Sequence, residues 1–300
     1  MRLATVTHAG RTFAAVIAGE SAHELPAGLT VAEVIALRLD RALEIGAEAA
    51  RRPGVPMEQA QLLLPYRPPA VRDFVTFESH VEGVRQSIEG APGVPEAWYD
   101  APTFYFTNPH ALYGPDEAIP RPRACRALDF ELEVACVVGR DGTDLSEAEA
   151  AEAIFGYTIL NDWSARDLQA REMQVGLGPA KGKDFATTIG PWIVTADELA
   201  DRHDVGGFLD LDCRVSVNGA LVGHDRLAHM NWTFPQMVAY ASRDSRVVAG
   251  DLLASGTTGG GGCLAELWGR RGERIPPPLE PGDQVLIEVE GIGSLTGSVA

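Results

Sequence analysis

Apolar and polar positions alternate most clearly over residues 128–138, LDFELEVACVV. Leu128, Phe130, Leu132, Val134, Cys136 and Val138 fall on one face, and Asp129, Glu131, Glu133, Ala135 and Val137 on the other. This period of two predicts a β-strand. YTILND (157–162) predicts a second buried strand, which delivers Asp162 to a polar loop carrying Ser164, Arg166, Asp167 and Gln169. LATV and TFAAVI flank a turn at Ala9-Gly10-Arg11 and read as a hairpin, as do LDCRVSV and ALV around Asn218-Gly219. The tail 281–299 reads as two closing strands around Gly291-Ile292-Gly293. Helices are announced by capping boxes. Thr30 with Glu33 opens TVAEVIALRLD, with more Ala-rich helix to about Arg52, and Ser146 with Glu149 opens SEAEAAEAIFG. TFPQMVAYASR predicts a further helix, and residues 78–88 another, with His80 in its first turn. Residues 92–123 have ordered-loop composition around one short aromatic strand, TFYF. Pro65, Pro68 and Pro69 interrupt LLLPYRPPAVRDF and predict a link between a small N-terminal hairpin/helix unit (1–70) and a main domain (71–300).

Composition narrows the class. A chain of 300 residues, 45% hydrophobic, suits one large domain or a large domain with a small one attached. Its 32 Gly and 20 Pro imply many turns, so the expected class is α+β and β-rich. A run of about 20 apolar residues, which a membrane helix needs, is absent, and the opening MRLATVTHAG has no signal-peptide core. Cys125, Cys136, Cys213 and Cys263 are scattered without a CxxC, as expected for reduced cysteines in a cytoplasmic protein. The net charge of −17 argues against a nucleic-acid partner. It also requires a local positive site for any anionic substrate.

Charge placement then suggests chemistry. Glu131 and Glu133 stand side by side on one strand face. Two ionised carboxylates in that position repel, and burial is costly unless a cation lies between them. A hard divalent cation with oxygen ligands suits them, Mg²⁺- or Ca²⁺-like. The alternative is a solvated face at a sheet edge. Asp73 lies just past the linker and His80 seven residues on; a lone histidine is more often structural than catalytic. Tyr105, in the aromatic stretch, is either a ligand contact or a packed ring. GLGPAKGKDF carries Lys181 and Lys183 among glycines but lacks the GxxxxGK[ST] order, which excludes a nucleotide loop. The run Gly259–Gly262 is either mobile or a close backbone approach, and Glu266 follows it.

Seven stretches together resemble the fumarylacetoacetate hydrolase family: VRDFVTFESH (71–80), FYFTNP (104–109), LDFELEVACVVG (128–139), GYTILNDWSARDLQ (156–169), GPAKGKDFATTIGPW (178–192), ASGTTGG (254–260) and PGDQVLIEVEGIG (281–293). They occur in the family order, and NDWSARDLQ with the upstream DFELE is highly specific. The resemblance implies a mixed β-sheet roll, a homodimer, and a divalent metal, Mg²⁺ or Ca²⁺/Mn²⁺, held by Asp73, Glu131, Glu133 and Asp162. It implies a His80–Glu266 dyad that activates water, with Tyr105, Gln169, Lys183 and Thr257 at substrate or oxyanion positions. This chain departs from the family pattern in three places. Val75 replaces an aromatic residue, Glu89 replaces an arginine, and Gly83 stands where shorter members carry a dyad glutamate, with Glu82 adjacent. The first two positions belong to substrate recognition, so the resemblance does not fix the substrate.

The expected activity is metal-dependent hydrolysis of a C–C bond in a β-diketo acid, fumarylacetoacetate- or acylpyruvate-like. The metal would polarise the carbonyl and stabilise the leaving enolate, while His80 takes a proton from water and Glu266 orients its ring. The same site without water attack would make a 2-oxo acid decarboxylase or a hydroxymuconate-type isomerase. From another class, a non-catalytic binding protein would keep the metal site and turn nothing over.

Overall fold

The computed structural model describes residues 1–88 and 90–300. Glu89 lies outside the described residues. Strands β1 (Arg2–His8) and β2 (Arg11–Ala18) form the N-terminal hairpin, with Ala9 and Gly10 at φ 47° and 76°. β3 (Ser21–Glu24) adds to it. The Thr30 capping box forms in both directions, but its helix, α1 (Val31–Ala36), is short. Arg38 turns the chain at φ 71° and α2 (Leu39–Ala49) starts afresh. The single helix expected from the sequence is therefore two, and the break lets Val34 and Ile35 of the first and Ala42 and Ile45 of the second bury in one cluster with Leu3 and Val16. β4 (Val55–Pro56) pairs with β3, and β5 (Gln61–Leu63) with β1.

β6 (Val71–Phe74) and β7 (Phe104–Thr107) run antiparallel and place Asp73 opposite Tyr105. Between them lies α3 (Glu78–Ile88), with His80 in its first turn. The aromatic stretch holds more strand than its composition suggested: β8 (Leu112–Tyr113) and β9 (Ala118–Ile119) dock on two different sheets. Both pairings are distant in sequence, which is why no local pattern announces them.

The alternating stretch 128–138 is not one strand. β10 (Leu128–Asp129) pairs with β13 (Ser164–Ala165), whereas β11 (Leu132–Val138) pairs with β12 (Ile154–Asp162). At the break the Glu131 N–H donates to the Asn161 side chain at 3.0 Å and the Glu131 carbonyl accepts the Asp162 N–H at 3.3 Å. Between β11 and β12, α4 (Glu147–Ala153) carries the expected Ser146 capping box. The chain continues through α5 (Arg166–Met173), β14 (Thr187–Thr195) and the hairpin of β15 (Asp212–Val217) and β16 (Ala220–Arg226), whose Asn218-Gly219 turn has φ 50° and 79°. It closes with α6 (Phe234–Ser242), β17 (Leu252–Ala254), α7 (Leu264–Arg271), β18 (Gln284–Val289) and β19 (Gly293–Val299).

Among the described residues the strands form a 12-stranded sheet, ordered β4-β3-β2-β1-β14-β12-β11-β17-β6-β7 with β5 and β8 off that path, a 5-stranded sheet β16-β15-β18-β19-β9, and the pair β10-β13. Most pairs are antiparallel, while β17–β6, β14–β8 and β19–β9 are parallel. This is the strand-rich, mixed architecture expected from the sequence. β11 lies inside the large sheet and is buried on both faces. Val134, Cys136 and Val138 share one buried cluster with Val215, Val285 and Ile287 of the smaller sheet. Ala135 and Val137 pack toward the α1–α2 cluster. Glu131 and Glu133 share that second face and are only 4% and 1% exposed, so the solvated-edge alternative does not hold.

Candidate metal centre and active site

Three neighbouring strands bring the acidic residues together. β17 pairs with β11 through Ala254 and Ala135, and with β6 through Ala254 and Asp73. Asp73 therefore lies level with Ala135 in the middle of β11, and Asp73, Glu131 and Glu133 each offer an oxygen within 4.8 Å of the others. Asp162, at the end of β12, joins them through two bridges. The Lys183 ammonium lies 2.6 Å from Asp162 Oδ2 and also pairs with Glu131 Oε2. The Tyr105 hydroxyl lies 2.7 Å from Asp73 Oδ2 and also bonds to Asp162 Oδ2. Thr257 Oγ1 donates to Glu133 Oε1 at 3.3 Å. Lys181, the other lysine of that loop, is exposed and paired with Asp184.

Two neighbours of the cluster were not singled out by sequence reasoning. Arg166 donates from Nη2 to Glu131 Oε1 at 2.7 Å, from Nε to Asp129 Oδ2 at 2.8 Å, and from Nη1 to Gln169 Oε1 at 3.0 Å. Asp129 in turn accepts the N–H groups of Leu264 and Ala265, at 2.8 and 2.9 Å, at the start of α7. A weak signal existed for both. Asp129 shares the predicted strand face of Glu131 and Glu133, and Arg166 follows Asp162 in the specific NDWSARDLQ segment.

Charge is out of balance here. Five buried carboxylates, Asp73, Asp129, Glu131, Glu133 and Asp162, share two buried cations, Arg166 and Lys183. Burial pushes the Glu131 carboxyl up, but Lys183, Arg166 and His80 together outweigh it and hold that group below the usual range. Burial likewise pushes Lys183 down, and Asp162 and Glu131 more than reverse it, keeping the ammonium charged. Asp73 and Glu133 lack such a partner. Burial, reinforced by neighbouring carboxylates, drives both well above the usual carboxylate range. Glu133 Oε2 and Asp162 Oδ1 are buried without a hydrogen-bond partner. Converging, all-oxygen, under-neutralised donors with orphaned atoms fit a hard divalent cation.

His80 stands beside this cluster, with Nε2 3.9 Å from Glu131 Oε1 and Nδ1 3.8 Å from Glu266 Oε2. Both separations exceed a hydrogen bond. Glu266 is fully buried in the first turn of α7. Its Oε1 accepts from the Gly261 N–H at 3.2 Å and Arg270 at 2.9 Å, while Oε2 has no partner. The cap of this helix is Cys263, whose sulfur accepts the Glu266 N–H at 3.4 Å and lies 3.7 Å from His80 Nδ1. The glycine run is a close approach: a Cβ on Gly260 would collide with the His224 carbonyl, and one on Gly262 with that of Thr258. Most of the residues proposed from the sequence, Lys183 and Gln169 among them, line one cavity of about 180 Å³. Asp162 and Glu266 do not line it; Asp162 bonds to the lining residues Lys183 and Tyr105, and Glu266 lies beside His80.

Fold and site define a strand-rich protein with a buried oxygen-donor centre suited to a divalent metal. Residues 70–300 match the family model described as fumarylacetoacetate (FAA) hydrolase C-terminal. A fumarylacetoacetase of Oryza sativa subsp. japonica is 30% identical over 309 residues, covering 82% of this chain and 71% of that protein. Among solved structures, the fumarylacetoacetate hydrolase of Exiguobacterium antarcticum superposes with a TM-score of 0.75 at 26% identity, covering 100% of this chain and 99% of that one. The 2-hydroxyhepta-2,4-diene-1,7-dioate isomerase of Mycobacterium marinum superposes with a TM-score of 0.69 at 27% identity, covering 100% and 98%. The chain belongs to the fumarylacetoacetate hydrolase family. None of its described helices is long and apolar enough to cross a membrane.

Proposed function

We propose that the protein is a divalent-metal-dependent hydrolase that cleaves a carbon–carbon bond in a β-diketo acid of the acylpyruvate class. Asp73, Glu131, Glu133 and Asp162 would hold the cation, Mg²⁺ or Mn²⁺. When bound, it supplies Lewis-acid polarisation of the substrate oxygens and positive charge for the enolate that leaves. The observation that carries the reading is the setting of His80: a buried base with one ring nitrogen toward the carboxylate cluster and the other toward a buried, half-unpartnered carboxylate.

The residues divide the work. His80 accepts a proton from water as the water oxygen bonds to the distal acyl carbonyl carbon. Glu266 Oε2 orients the ring through Nδ1 and stabilises its cationic form. The bond between the acyl carbon and the methylene breaks, and its electron pair stays with the methylene. His80 returns the proton there, giving one carboxylic acid and pyruvate. Lys183 uses two of its three N–H groups on Glu131 and Asp162 and keeps one for a substrate oxygen. Gln169, Thr257 and Tyr105 orient the 2-oxo acid end.

The test is the product mixture from acetylpyruvate with Mg²⁺ or Mn²⁺, read by proton NMR: acetate and pyruvate are expected in equal amounts. Full-length fold similarity to an isomerase keeps a second reading open, in which His80 only moves a proton between carbon and oxygen. Spectral change of a hydroxymuconate-type dienol, or CO₂ from oxaloacetate, with acetylpyruvate untouched, would establish that reading instead. No turnover of a broad 2-oxo acid panel would point to a binding protein.

A further inference from the structure

The cavity changes character with depth. α3 and α5 both start at the carboxylate cluster, with His80 in the first turn of one and Arg166 at the start of the other. On α3 the cavity is lined by His80, Val84 and Ile88, spaced four apart, so they form one stripe along the helix. On α5 it is lined by Arg166, Gln169 and Met173, again one stripe. At 1.5 Å rise per residue, Ile88 lies about 12 Å beyond His80 and Met173 about 10 Å beyond Arg166 along their axes. The α5 wall therefore runs from charged at the floor to aliphatic at the mouth, and the α3 wall does the same along this stripe, with Arg85 lining the cavity beside it. Val75 contributes a further aliphatic side chain, and past Met173 the chain leaves Val175 and Leu177 72% and 84% exposed.

Resting on the acylpyruvate reading of the floor, we infer that the outer half of this cavity selects substrates whose distal acyl group is an apolar chain or ring, not one ending in a carboxylate. A carboxylate placed between Ile88 and Met173 would lose water and gain no donor from either. An alkyl chain there gains by leaving water, and the gain grows with length. Arg85 is the rival anchor on the wall. Its Nη1 donates to the Gly93 carbonyl at 2.6 Å, which tethers the guanidinium to the turn that follows.

The experiment is calorimetric binding of 2-oxo acids to the full chain loaded with Mn²⁺, a readout that needs no turnover. Across pyruvate, 2-oxobutanoate and 2-oxohexanoate, affinity should rise about two- to four-fold per methylene. 2-Oxoadipate, which replaces the terminal methyl of 2-oxohexanoate with a carboxylate, should bind at least ten-fold more weakly than that compound. Met173→Asp should flatten the series; the site is 38% exposed, so the change is compatible with folding, and Ile88→Asn provides a second variant. A flat series in the parent overturns the inference. So does 2-oxoadipate binding as tightly as 2-oxohexanoate, with that affinity lost in Arg85→Ala. A length-dependent series in a protein that does not cleave acetylpyruvate would remove the hydrolase reading and uphold this one. Absence of binding by every 2-oxo acid would remove both.

Discussion

Gly83 of α3 lies directly against Glu266 of α7: a Cβ on Gly83 would come within 2.7 Å of Glu266 Cγ and 3.1 Å of its Cα. Gly269, one turn along α7, meets the Gly83 carbonyl closely enough that a Cβ there would collide. The two glycines let the helices cross at backbone contact, which brings Glu266 to the ring of His80. The space that a side chain at position 83 would need is filled by the Glu266 side chain from another helix. In Gly83→Ala the added methyl should push Glu266 away from the ring. Better helix propensity favours alanine by about 1 kcal/mol, and overpacking costs about 1–3 kcal/mol. The expected outcome is a lower melting temperature and a kcat reduced at least ten-fold, with the metal response intact. A variant that melts higher and keeps its kcat would show that this contact does not place Glu266.

The cation prediction is cleanest at Glu133. Its Oε2 has no partner and its carboxyl is crowded by Asp73, Glu131 and Asp162. Glu133→Gln removes one repelling charge while keeping shape, so the metal-free protein should be no less stable than the parent. Added Mn²⁺ at about 100 times the parent's dissociation constant should stabilise the parent by about 2.7 kcal/mol and the variant by far less. Differential scanning calorimetry with and without Mn²⁺ measures this, and equal gains in the two proteins would place the cation elsewhere. Glu131 is a poorer probe. Its removal would also strand Arg166 and Lys183, and breaking such buried pairs costs about 3–5 kcal/mol.

His80→Ala and Glu266→Gln should each lose hydrolysis by roughly 10²–10⁴-fold, the range for general base catalysis, and retain Mg²⁺ affinity. The double variant should be little worse than the worse single change, because the residues act as a unit. Steady-state kinetics on acetylpyruvate, paired with Mg²⁺ titration calorimetry, checks both halves. Oxaloacetate turnover surviving both changes within a few-fold, alongside negligible hydrolysis in the parent, would favour the decarboxylase reading.

A homodimer is expected at micromolar concentration. Sedimentation equilibrium tests it, and a single species near the chain mass of 32.0 kDa would count against it.

The sequence announced what is set locally. The Thr30–Glu33 and Ser146–Glu149 boxes and the Asn218-Gly219 turn depend on residues within four positions of each other, and all formed as read. The acidic pair on 128–138 was also legible, because alternation shows which side chains share a face. The interruption at Phe130-Glu131 was not, because Asn161 and the distant start of α7 impose it. Arg38 broke a helix that pattern alone would continue, since the reward for turning lies in a cluster with β1 and β2. Arg166 and Cys263 stayed hidden for a related reason. Each acquires its importance from a partner more than 30 residues away, Asp129 or Glu131 for the arginine and His80 for the cysteine.

Asp129 carries a consequence for how the protein responds to chelators. One of its oxygens shares Arg166 with Glu131, and the pair of oxygens grips the first amides of α7, from which Glu266 projects. With Glu131 holding the cation as proposed, withdrawing it would free that carboxylate to compete for Arg166, and the grip of Asp129 on α7 would change with it. Amide hydrogen exchange at Leu264 and Ala265 would then quicken when the cation leaves, although neither residue touches it. A stripped sample would in that sense be a loosened one, and recovery after metal is restored would follow the resealing of a helix end as well as the arrival of an ion.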